Sequence, residues 1–196
     1  MAVRKKYIEV ELPLINEVVS VFGTPESLKG KVIKMDLTRK LKGKSLEVDF
    51  KIFEQNQNLI GLPKKMNLMK FYIRKMMRKR VDYVEDSFKT KTADLEVIIK
   101  PFLITRKKVS RAIRKNLRNT AREFLIEYVK EKNYLEVCKD ILETKLQKEM
   151  LPKLKKIYPL SFCEIRVFET KELDKLELEK QEKPSEKTQE EVKESE

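Results

Sequence analysis

No histidine occurs anywhere in the 196 residues. That absence removes the commonest general base, the commonest metal ligand and every histidine-based triad. Only two cysteines are present, Cys138 and Cys163, and they cannot build the usual zinc sites without histidine. Isolated and outside any CxxC spacing, they read as buried structural thiols in a reducing cytosol. The four glycines leave no glycine-rich phosphate loop. No run of about 18 apolar residues exists, so nothing reads as a membrane span. The start, MAVRKKYIEVEL, lacks the apolar core of a secretory signal.

The catalytic route left open is carboxylates with magnesium. VDYVED offers Asp82, Glu85 and Asp86, with Asp94 and Glu96 close behind. A phosphoryl-transfer site needs carboxylates converging on metal ions. Strand alternation would send Asp82 and Asp86 to one face and Glu85 to the other, so solvated strand residues are expected there. Neither catalysis nor a metal or cofactor is expected.

What the chain has in excess is positive charge. It is 40% hydrophobic and 39% charged, with a net charge of +13 and a pI near 9.5. Residues 174–196 hold nine acids against five lysines, a balance of −4, so residues 1–173 carry +17. Such a body repels itself unless it meets a polyanion. The 174–196 segment is rich in Glu, Lys and Gln and is expected to be disordered, with Leu176 and Leu178 hinting at a helical start. Residues 1–173 are expected to form one domain.

Alternating apolar and polar positions predict strands over 6–12, 31–37 and 45–55, with Leu46, Val48, Phe50 and Ile52 on one face of the last. FGTPESLKG is turn-rich, and LTRKLKGK is a polar break at Gly43. Gln55 to Asn58 is expected to turn the chain into a short strand, LIGL, with Pro63 beyond it. Met66, Met69, Ile73, Met76 and Met77 recur at helical spacing and predict an amphipathic helix over 66–80, methionines inward. Strands are expected again over 81–89 and 94–104, joined by a TKTAD turn, the second lying centrally in its sheet.

From Lys107 the pattern becomes helical. Val109, Ile113, Leu117, Phe124 and Tyr128 form an apolar stripe, with Thr120 and Ala121 filling the gap. Two further helices are expected in 133–160, separated near Thr144 or Pro152. SFCEIRVFET (161–170) is a last strand. The order predicts an α+β fold with a mainly antiparallel sheet or barrel.

Two segments concentrate the charge. KFYIRKMMRKRV (70–81) has six basic residues and no carboxylate. No acid lies between Glu96 and Glu123 either. There Arg111, Arg114, Arg118 and Arg122 fall at i, i+3, i+7 and i+11, a line roughly 16 Å long on one helix face. Without acids at i+4 those charges weaken an isolated helix, and an ordinary solvated face would interleave glutamates. RNA phosphates reverse that cost, and guanidinium groups grip them with two hydrogen bonds. A membrane-surface helix is the other use of such a pattern, but it favours tryptophan, which is absent, and leaves the flanking strands unexplained. No stacking signature for bases is visible, so phosphate contacts are expected.

RKKYIEVELP, PESLKGKVIKMDL, TKTADLEVIIKPFLIT, VSRAIRKNLRN and KKIYPLSFCEIRVFETKEL follow one another across about residues 4–173. In this order they resemble the archaeal and eukaryotic small-subunit ribosomal family S-three-A-e, also called S-one-e. The hairpin reads TKTAD where family members usually carry TKDG, and the link TRKKVSR is short. The basic N-terminal extension of eukaryotic members is not seen, which points to an archaeal-type or reduced ribosome.

The resemblance implies a barrel-like β core with packed basic helices, no catalysis and no cofactor. It implies a cytoplasmic, ribosome-bound protein on the small-subunit platform, near the 3′ end of the rRNA and the mRNA exit. Its partners would be small-subunit rRNA and neighbouring platform ribosomal proteins, such as S-eleven. The cations expected to face RNA are Lys70, Arg74, Arg78, Lys79 and Arg80, then Arg106, Lys107 and Lys108, then Arg111, Arg114, Lys115, Arg118 and Arg122. A free-standing RNA-binding or RNA-chaperone protein is the alternative, and an RNA-independent interaction protein the third reading.

Overall fold

The structure is a computed structural model, and it describes residues 5–41, 43–55 and 58–173. The segment 174–196, expected to be disordered, lies outside the described residues.

Among the described residues nine strands share one sheet, and β5 (Asn58–Leu68) is its spine. Along one edge β5 pairs antiparallel with β4 (Leu46–Gln55). Along its other edge β1 (Lys6–Leu12) pairs parallel near the start, and β9 (Leu160–Thr170) antiparallel near the end. β2 (Glu17–Gly23) extends the β1 side and β3 (Val32–Asp36) the β4 side. Beyond β9 runs β8 (Glu96–Thr105), whose far edge takes β6 (Tyr83–Glu85) and β7 (Phe88–Lys91) in sequence. The sheet is therefore branched and open. Among the described residues no ladder joins β2, β3 and β6 or β7, so the expected barrel does not close. Period-two patterning decides which side chains go inward but not whether edges meet.

The clearest sequence expectation holds: Leu46, Val48, Phe50 and Ile52 are all fully buried on one face of β4. β8 is central, as its low charge predicts. Two strand expectations change. EVVSVFG, assigned no strand from its sequence, forms β2. Pro63 does not end β5, because the register slips between Asp49 and Phe50, leaving Lys64 as an extra residue opposite β4. A bulge of this kind accommodates a residue without an N–H donor. At Gly61, a Cβ would collide with the end of the buried Leu12 side chain, which would have to shift to make room for it.

The expected helix over 66–80 shrinks to α2 (Lys70–Met76). Met66 is buried, but as a residue of β5, and Met77 is exposed. A short helix, α1 (Pro25–Leu28), forms within the turn-rich stretch, capped by Thr24 and Ser27. α3 (Arg111–Lys130) begins after its Ser110 cap, and its Leu117, Ala121, Phe124 and Tyr128 are buried as the stripe predicts. α4 (Tyr134–Leu142) and α5 (Lys145–Lys155) break at Thr144, whose φ is 60°, while Pro152 stays inside α5.

The helices seat on the sheet through specific contacts. Tyr134 is fully buried in α4, donates to the Pro63 carbonyl at 2.9 Å and stacks on Phe168 with centroids 5.4 Å apart. Cys138, buried beside it, is a free thiol whose pKa burial pushes well up. Cys163 is free and half-buried, its thiol pushed up to about 12 by burial. The core uses both as small apolar residues.

Candidate nucleic-acid interface

Two prolines and one aspartate decide where the basic side chains go. Pro101 sits in β8 where β7 ends and β6 begins, and the β8–β9 register slips there, from Lys100↔Val167 to Pro101↔Ile165. Arg166 is the residue left over. A bulge re-aims its side chain, and here Arg166 Nη1 reaches Glu85 at 2.8 Å. Pro63, by bulging β5, lets that strand run on to Leu68 and deliver α2 immediately afterwards.

Asp82 ties the first basic segment to the second. Its amide donates to Thr105 Oγ1 at 3.1 Å, and the Thr105 amide donates back to its carbonyl at 2.9 Å. Its carboxylate accepts the Val109 amide at 2.9 Å. The chain just past Arg78, Lys79 and Arg80, which follow α2 rather than lying in it, is thereby tied to the segment that carries Arg106, Lys107 and Lys108. All six are exposed. Arg80 adopts a φ of 65°, unusual for a residue with a side chain, at the turn into β6.

Lys70 and Arg74 are exposed on α2, which has no acid in its first turn. The first turn of α3 has none either, yet it carries Arg111 and Arg114, with Lys115 next. Cations at a helix N-terminus oppose the helix dipole, at about 0.3–1 kcal/mol each. Arg111 and Lys115 are exposed, and Nε of the half-buried Arg114 has no hydrogen-bond partner among the described residues.

The arginine stripe on α3 divides in two. Arg118 Nε donates to the Glu85 carbonyl at 3.2 Å. Arg122 Nε lies 3.1 Å from Asp86 Oδ2, and its guanidinium sits 5.2 Å from the Phe88 ring centroid. These two arginines pin α3 to β6 and β7, whereas Arg111, Arg114 and Lys115 have no such anchor among the described residues. The VDYVED carboxylates are not solvated, as their alternation suggested, but half-buried and partnered: Asp82 with Val109, Glu85 with Arg166, Asp86 with Arg122.

Residues missed by sequence reasoning sit between these groups. Arg166, Tyr83 and Phe102 come from β9, β6 and β8, and only the fold brings them to α2. Among the described residues no helix is long and apolar enough to cross a membrane, and no acids or thiols group as a metal site.

Comparison with known proteins adds a family. The model of the ribosomal S3Ae family matches residues 3–172. A curated relative, small ribosomal subunit protein eS1 of Nanoarchaeum equitans (strain Kin4-M), is 26% identical over 175 residues, 84% of this chain and 88% of the relative.

Proposed function

The chain belongs to the ribosomal S3Ae family, and from that premise we propose that it is a non-catalytic constituent of the small ribosomal subunit. In this reading it binds rRNA on the platform near the mRNA exit, in the cytoplasm, beside neighbouring platform proteins. Residues 1–173 are the RNA-bound body and 174–196 an appended acidic segment. The cations at 70–80, 106–108 and 111–122 face the RNA.

The observation that carries it is the Asp82 clasp. It ties the end of one run of like charge, Arg78–Arg80, to the segment that carries another, Arg106–Lys108, with no acid inside either run. A fold gains nothing from that crowding in isolation, and phosphates offset it. Contacts of this kind position a protein on RNA without reading bases.

The test is sedimentation. In a sucrose gradient of cell lysate at low salt, the protein is expected in small-subunit and monosome fractions at a constant ratio to rRNA. Residence with free protein at the top would leave the free-standing RNA binder in its place.

A further inference from the structure

Between α2 and the β6–β8–β9 surface lies a cleft of about 230 Å³. It is smaller than the roughly 300–1,000 Å³ sites that enclose drug-sized ligands. Among the described residues three cations border it, Lys70, Arg74 and Arg166, and the one acid, Glu85, is paired to Arg166 at 2.8 Å. Its wall is aromatic. Tyr83 packs near-parallel on Phe102, with an interplanar angle of 25° and centroids 5.9 Å apart, yet remains 50% exposed.

That combination is specific. A tyrosine half bare to water forfeits apolar burial unless something flat covers it. Phe102 holds the ring from behind, so little side-chain entropy remains to be lost on stacking. Duplex RNA offers no free base face, whereas an unstacked nucleotide offers both a π surface and an adjacent phosphate.

We infer that this cleft is a site for one unstacked RNA nucleotide, its base laid on Tyr83 and its phosphate held by Lys70, Arg74 and Arg166. The site rests on the RNA-binding reading above and adds a contact that sees bases as such, without choosing among them. The Pro101 bulge explains why Arg166 is there: a regular β9 would not have an extra residue to turn into the cleft.

The experiment measures binding of the full chain to three RNAs: a short single strand, its abasic counterpart with the same ribose-phosphate backbone, and a duplex. Tyr83→Ile keeps apolar cover over Phe102 and strand propensity but removes the flat ring. Tyr83→Phe keeps the ring. Tyr7→Ala is the control, since Tyr7 is 77% exposed but lies beside Phe22 on a strand carrying Glu9 and Glu11.

Tyr83→Ile is expected to weaken single-strand binding by roughly 5- to 150-fold, the range for removing one base–aromatic stack. Abasic and duplex binding should stay as in the wild type, Tyr83→Phe should bind like the wild type, and Tyr7→Ala should change nothing. An undiminished single-strand affinity in Tyr83→Ile overturns the site, as does an equal loss on the abasic strand. If the wild type binds none of the three RNAs, the underlying RNA-binding reading fails, and the site with it.

Discussion

Thr105 and Asp82 hold each other from both sides, amide to hydroxyl at 3.1 Å in one direction and amide to carbonyl at 2.9 Å in the other. Thr105 is fully buried, and its hydroxyl lies within donating distance of two carbonyls, Asp82 at 2.9 Å and Lys107 at 2.7 Å. One proton serves two acceptors. This pair fixes where the chain leaves the sheet and where the basic loop begins.

Thr105→Val preserves the shape and deletes the hydroxyl, leaving the Asp82 amide without its acceptor. A cost of about 1–3 kcal/mol is expected in denaturant unfolding. Amide exchange at Val109 should quicken, because the Asp82 carboxylate that accepts it is no longer held. An unchanged unfolding midpoint with unchanged exchange would mean that packing alone holds the loop.

The divided stripe makes a sharper prediction than its sequence did. Replacing Arg111, Arg114 and Lys115 by glutamine should leave the fold intact or slightly firmer, since it relieves charge at the α3 N-terminus. The salt dependence of RNA binding should flatten by roughly 0.7–0.9 for each phosphate no longer neutralised. Replacing Arg118 and Arg122 instead should lower thermal stability, because Asp86 loses its cation and Phe88 its covering guanidinium. Equal slopes in both variants would show that the anchored arginines reach phosphate as well.

Much of this was legible along the chain and some was not, for identifiable reasons. The faces of β4 and α3 follow from one strong period each, and burial bears them out. Met66 and Leu68 fit both a strand and a helix, since positions two apart and three or four apart overlap in a short apolar run; the sheet took them for β5. β2 was hidden because EVVSVFG runs straight into turn residues, although its β-branched content was the available sign. Thr144 and Pro152 were both fair breaks, and Thr144 won by adopting the left-handed region.

The site was legible as a supply of charge but not as an arrangement. Glu85 and Arg166 are 81 positions apart, and nothing local says that they meet. The arginines that anchor α3 look identical in sequence to those that do not. Tyr83 is one aromatic in a strand until Phe102 and the α2 cations come up beside it.

A pH dependence follows from the Lys132–Asp140–Tyr128 cluster. Lys132 Nζ lies 2.7 Å from Asp140 Oδ2 and 2.6 Å from Tyr128 Oη, and Tyr128 donates to the same carboxylate at 2.8 Å. Burial acts against both charges, but the hydrogen bonds outweigh it, lowering the Asp140 pKa and raising that of Lys132. A lowered acid stabilises the fold above its unfolded pKa, about 3.9, and loses that contribution as pH falls through the folded value. A raised lysine contributes fully below about 10.4 and loses it as pH rises through its own folded value. Asp140→Asn should therefore destabilise at neutral pH and show less stability loss between neutral and acidic pH. Parallel acid-unfolding curves for the two proteins would remove the cluster from the account.

Lys44 and Glu164 form the most enclosed of the described ion pairs, 2.7 Å apart with side chains only 9% and 14% exposed. Gln147 Nε2 also donates to Glu164 Oε2, at 2.9 Å, so the carboxylate joins the turn before β4, α5 and β9. Attraction at this depth is offset by the cost of taking both charges out of water, so the pair's net worth is small while breaking it is costly. Lys44→Met should destabilise by about 3–5 kcal/mol, because it leaves Glu164 buried with only the neutral Gln147 amide. Adding Glu164→Leu to that variant should recover most of the loss, with two apolar side chains replacing two charges. Chemical denaturation of both singles and the double closes the cycle. A double variant as unstable as the sum of the singles would show that each charge serves a separate partner, and that the junction of α5 with β9 does not depend on their pairing.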